Sequence, residues 1–109
     1  MPYNSDLEQK LDRLSVKLGA FTKKNLFGGV AYLVNGNMAF GIHKQSLIIR
    51  TSKERAKELL TRDSMSIFDI TGRPMLGWLM VSPDGLKTEK QISDLLKIAI
   101  DYVNTLPRK

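Results

Sequence analysis

Leu7, Leu11, Leu14 and Leu18 recur at the i, i+4, i+7, i+11 spacing of one helical stripe, with Asp12, Arg13 and Lys17 lying off it. Ser5 followed by Glu8 has the form of a capping box, and Gly19 stands where a helix would stop. The spacing therefore predicts a first helix from about Ser5 to Leu18. From Leu26 the period shortens. Leu26 to Val34 is rich in aromatic and β-branched residues, Asn35-Gly36 is a strong hairpin signal, and Met38, Phe40 and Ile42 alternate through Asn37 to His43. Lys44-Gln45 forms a second tight connection into Leu47-Ile48-Ile49-Arg50, which completes a three-stranded antiparallel meander. Gly28 and Gly29 near its start predict a bulge or a close backbone approach, because glycine weakens a strand interior without such a reason.

Thr51 with Glu54 has the form of a second capping box, and the helix formers that follow predict a short, mostly polar helix to about Arg62. Ser66 to Ile70 and Leu76 to Val81 read as two further strands, joined through Thr71-Gly72-Arg73-Pro74, where Gly72 and Pro74 enforce a turn. Ser82-Pro83-Asp84-Gly85 is another turn. Thr88 with Gln91 is a third capping box, and Ile92, Leu95, Leu96, Ala99, Ile100 and Val103 mark one face of a last helix ending near Thr105. The order α-β-β-β-α-β-β-α predicts an α+β fold of two layers. Its five-stranded, largely antiparallel sheet has one face covered by the amphipathic terminal helices and the other more open.

Composition narrows what such a domain can do. A chain of 109 residues buries about two thirds of its unfolded surface as one domain and leaves no room for a separate cofactor fold. The absence of cysteine excludes a disulfide framework, a thiolate nucleophile and Cys-ligated metal or iron–sulfur sites. Met1 to Lys10 is polar and carries Asp6 and Glu8, unlike a signal peptide, so a soluble cytoplasmic protein is expected. The net charge of +6 admits nucleic acid or acidic partners, but the longest basic runs are the pairs Lys23-Lys24 and Arg108-Lys109, and there is no basic–aromatic interleaving.

Catalytic chemistry finds little support in the sequence. His43 has no Ser, Cys or Glu beside it in a nucleophile arrangement and reads as a turn residue. One histidine, no cysteine and no clustered carboxylates leave no metal ligand set, and no cofactor is expected. Phe27-Gly28-Gly29 lacks the Lys-Ser/Thr of a phosphate loop and leads into a strand. The densest polar feature runs from Asp69 through Thr71 and Arg73 to Trp78. It either presents an anion- or partner-binding surface, or closes on itself with Arg73 paired to Asp69 and Trp78 filling the core. Arg50 reads as an ion-pairing residue rather than a phosphate ligand. Met1, Met38, Met65, Met75 and Met80 add soft apolar surface, in strands as core filler or, if exposed with aromatic residues on the uncovered sheet face, as a patch for a protein partner or a homodimer.

Taken together, Phe27-Gly28-Gly29, Asn35-Gly36-Asn37-Met38, Gly41, Leu47, Arg50, Phe68-Asp69, Thr71-Gly72-Arg73-Pro74-Met75, Gly77-Trp78 and Leu106-Pro107-Arg108-Lys109 resemble the N-terminal domain of the TfoX/Sxy family. The resemblance runs from about Leu7 to Lys109, and its most specific part is Thr-Gly-Arg-Pro-Met-x-Gly-Trp. It implies a bacterial cytoplasmic domain with a two-layer fold similar to that of type III secretion chaperones. The founding regulators of competence for DNA uptake act with a cyclic-AMP-responsive transcription factor, and the family pattern supplies no catalytic residues. Those regulators carry a second, helical domain, whereas this chain ends at Lys109 and is expected to be a stand-alone copy. Leu76 stands where the family often has Lys, which lowers the charge of the loop.

The sequence thus favours a non-enzymatic binding or regulatory module that makes protein–protein contacts through the open sheet face or the loop from Asp69 to Trp78, with Arg50, Asp69, Thr71, Arg73 and Trp78 as candidate binding residues, a transcription regulator as one candidate partner and no membrane contact. The alternative is nucleic-acid binding by a dispersed basic face of Lys23, Lys24, Arg50, Arg73, Arg108 and Lys109. Catalysis by His43 or Asp69 is the least supported reading.

Overall fold

The computed structural model describes residues 5–19, 21–26, 29–67 and 77–107. In chain order it forms α1 (Ser5–Ser15), β1 (Thr22–Leu26), β2 (Gly29–Val34), β3 (Asn37–His43), β4 (Ser46–Arg50), α2 (Lys53–Leu59), β5 (Met65–Ile67), β6 (Trp78–Val81), a single 3-10 turn (Pro83–Gly85) and α3 (Glu89–Val103). The strands make one antiparallel sheet of order β1-β2-β3-β4-β6-β5. The α+β class and the meander stand as expected. The sheet has six strands rather than five, because Thr22–Leu26 forms an edge strand ahead of the one expected to begin at Leu26. This strand, Thr-Lys-Lys-Asn-Leu, lacks the apolar alternation of a half-buried strand, and lysine is a common way of protecting a sheet edge.

Local chemistry explains the connections. Asn35 and Gly36 have φ of 53° and 83°, left-handed at both central positions as a tight hairpin turn requires. Gly29 lies so close to β3 that a Cβ there would strike the Ile42 carbonyl oxygen, which is the close approach expected of this glycine. The helix α2 is capped by Ser52 rather than Thr51. The Ser52 Oγ accepts a hydrogen bond from the Arg55 N–H at 3.1 Å, while the buried Thr51 donates its own N–H to the Gly77 carbonyl at 2.8 Å. That bond sets Thr51 in the sheet's continuation and moves the cap one residue on. Both bonds of the Thr88–Gln91 capping box form, each at 3.1 Å. Helices α1 and α2 end at Ser15 and Leu59, short of the expected Leu18 and Arg62.

All three helices pack on one face of the sheet. Leu7 and Leu11 of α1, Ala56 and Leu59 of α2, and the Ile92 to Val103 stripe of α3 join Tyr32, Phe40, Ile42, Leu47, Ile49, Leu79 and Val81 in a single core. The middle helix therefore covers the sheet along with the two terminal ones. On the second face, pairing aligns Lys24, Ala31, Gly41, Ile48, Met80 and Ser66 across all six strands. This face is open toward its edges, where Lys24 and Ser66 are exposed, and closed at its centre, where Ala31 and Ile48 are each 1 % exposed. At one end of the sheet the buried Asn37 side chain donates from Nδ2 to the Pro107 carbonyl at 2.9 Å, tying the β2–β3 hairpin to the segment after α3.

Candidate binding site

β4 ends on Arg50 and β6 begins on Trp78, and the antiparallel register sets these two residues opposite each other. The Arg50 guanidinium lies 5.2 Å from the centre of the Trp78 ring and 5.8 Å from that of Tyr102 in the last turn of α3. Among the described residues it has no ion-pair partner, and two aromatic rings meet it instead, whose negative quadrupoles attract the cation. Trp78 is half-buried and lies outside the main core. The backbone at Gly77 makes this corner possible: its φ is +89°, and a Cβ there would sit 2.7 Å from the Thr51 carbonyl oxygen.

Two depressions flank the corner. One, of about 170 Å³, lies between α2 and the β5–β6 pair, with Ala56, Leu60, Ile67 and Leu79 inside and Lys53 and Lys57 at the rim. The other, about 380 Å³ and shallow, lies between the start of α2 and α3 and is lined by Ser52, Arg55, Ile98, Asp101 and Tyr102. Tyr102, Lys53 and Lys57 were not singled out from sequence. The only hint of Tyr102 is an aromatic residue just off the apolar stripe in the last turn of α3.

The other candidates divide. Lys23, on β1, bonds Glu8 at 2.9 Å and Asp12 at 3.1 Å and lies 5.4 Å from the centre of the Tyr32 ring, while the Tyr32 hydroxyl donates to Asp12 at 2.6 Å. Partial burial works against the Lys23 charge, but the hydrogen bonds to Glu8 and Asp12 and their negative charges outweigh it and hold its pKa above the ordinary 10.5. Lys24, one residue on, belongs to the second face, so this basic pair is split between the two sides of an edge strand. His43 closes the β3–β4 hairpin opposite Ser46. Gly28, Asp69, Thr71, Gly72, Arg73, Pro74, Arg108 and Lys109 lie outside the described residues. Among the described residues no group of His, Asp or Glu is placed to hold a metal, and no helix is long and apolar enough to cross a membrane.

The fold and this corner define a two-layer α+β domain whose most distinctive surface is a cation–aromatic cluster beside a small apolar cavity. Residues 12–102 match the family model of the TfoX N-terminal domain, and the chain belongs to that family, one of regulatory domains rather than of known enzymes. Comparison with curated proteins gives no match, and comparison with solved structures gives none.

Proposed function

We propose that the domain is a non-enzymatic, competence-regulator-like binding module of the bacterial cytoplasm, acting through protein–protein contacts centred on Arg50 and Trp78. The observation that carries this reading is Arg50 itself, an arginine against the rings of Trp78 and Tyr102 with no carboxylate partner among the described residues. Arginine and tryptophan are the side chains most often found at the energetic centre of protein interfaces. A transcription regulator is the kind of partner that family membership suggests. Binding to nucleic acid through a dispersed basic face is less well supported, because Lys23 is already neutralised by two carboxylates and points away from Lys24.

The test is affinity capture with the immobilised domain, in untreated and in nuclease-treated extract, beside Arg50→Ala and Trp78→Ala variants. A protein retained in stoichiometric amount by the parent chain and lost from both variants is the expected result. Retention of nucleic acid in its place, with an affinity that falls steeply with salt, would reverse the reading.

A further inference from the structure

The 170 Å³ cavity between α2 and the β5–β6 pair is unlike the rest of the described surface, because an apolar interior meets unneutralised cations at its mouth. Its interior is formed by Ala56, Leu60, Ile67 and Leu79, beside Trp78. Its size matches cavities of roughly 150 Å³ that accept one benzene-sized group. At the rim, Lys53 and Lys57 stand one helical turn apart, both exposed. Among the described residues neither has an ion-pair or hydrogen-bond partner, whereas Arg55 on the same helix is committed to Glu58 at 3.0 Å. Arg50, stacked on Trp78, adds a third cation near the rim, and among the described residues these three have no ion-pair partner, while Glu54 is the one acid lining the cavity. Like charges spaced i, i+4 repel, so an anionic partner relieves a cost as well as adding an attraction.

We infer that this cleft docks an acidic peptide segment of a partner protein. One large apolar side chain enters the cavity, and the flanking carboxylates meet Lys53, Lys57 and Arg50. The inference rests on the reading of the domain as a protein-binding module and names where, and to what chemistry, it binds. A nucleobase fits the site less well. Its polar edges would be buried against Ala56, Leu60 and Ile67 without partners, at a cost an aromatic or branched aliphatic side chain does not bear.

The experiment uses the whole chain, isotope-labelled for amide and indole NMR, with four probes. These are a short peptide carrying one Phe flanked by Asp and Glu, the same peptide with Ser for Phe, the same with Lys for the acids, and oligothymidylate. The first peptide is expected to shift the Trp78 indole and the Ala56 and Ile67 amides. Its binding should weaken roughly tenfold in a Lys53→Glu, Lys57→Glu double variant, because rim charges govern encounter and salt dependence. Both lysines are exposed, so an unchanged amide spectrum elsewhere will show that the variant is folded. The Ser peptide should bind more weakly and the Lys peptide not at all. Shifts confined to Ala31, Ile48 and their neighbours would overturn the site while leaving a protein-binding domain. Equal binding of the Lys peptide, displacement by oligothymidylate, or no binding of any probe would each overturn the inference. Failure of the broader reading would show separately, as nucleic acid rather than protein in the capture experiment.

Discussion

Two cations show how far a side chain's partner, rather than its type, decides its role. Lys23 belongs to the fold: Glu8 and Asp12 on α1 and the Tyr32 ring fix it, and through it β1 is clamped to the first helix. Its side chain is 40 % exposed, so solvent screens the bridge. Replacing Lys23 with Gln should lower stability by about 0.5–1 kcal/mol in urea denaturation, the range for a small exposed charge network. The pH dependence follows from the raised pKa. A group that binds its proton more tightly when folded contributes fully below its unfolded value and loses that contribution as pH climbs through its folded value. The stability gap between parent and Lys23→Gln should therefore be flat from neutral pH to 10.5 and close above it. Arg50 has the opposite fate, stacked on aromatic rings with no carboxylate partner among the described residues. The two look alike in the sequence, since acids near Lys23 in space come from α1, while the Tyr102 that meets Arg50 lies 52 positions further along the chain. Chain distance hides the one and tertiary packing the other.

Elements were legible where one physical signal repeats. The stripes of α1 and α3 and the alternation of β3 each repeat an apolar period several times, β2 is a run of apolar and β-branched residues, and the Asn35-Gly36 and Thr88–Gln91 signals have stereochemical causes that context seldom overrides. β1 had no such signal, because an edge strand of lysine and asparagine is held by backbone bonds to β2 rather than by side-chain burial. The cap of α2 was displaced by one residue for a tertiary reason, the Thr51–Gly77 backbone bond. Ser52→Ala should cost about 1 kcal/mol by thermal or chemical denaturation, as loss of an N-cap does, and Thr88→Ala a similar amount. A Thr51→Val substitution, which keeps the buried volume and the backbone donor, should cost less than Ser52→Ala. The reverse order would return the cap to Thr51.

At the scale of the whole molecule, three helices on one sheet face leave the corner where β4, β6, α2 and α3 meet as the place where charge, aromatic surface and a cavity coincide. Trp78 was legible as a candidate because its residue type is frequent at interfaces, and Arg50 because it ends a strand as a charged residue just before α2. The cavity beside them was not, because it exists only once a short helix lies over a strand pair distant from it in sequence. The +6 charge likewise acquires meaning only from placement. Lys23 is consumed by the fold, whereas Arg50, Lys53 and Lys57 have no ion-pair partner among the described residues.

The strand order carries a consequence for how the chain assembles. β6 lies between β4 and β5, antiparallel to each, so β4 and β5 run parallel with a gap that only the later strand can fill. The hairpins from β1 to β4 can close as each is made, but β5 has no neighbour until residues 78–81 arrive. Nucleation should therefore begin in the meander, with β5 and β6 joining together as a late, cooperative unit. Native-state hydrogen exchange should show Met65–Ile67 and Trp78–Val81 opening at one common free energy, below that of β2 and β3. The cleft assigned to a partner is walled by that same late unit, so the chain completes its recognition surface only in the last step of its own folding.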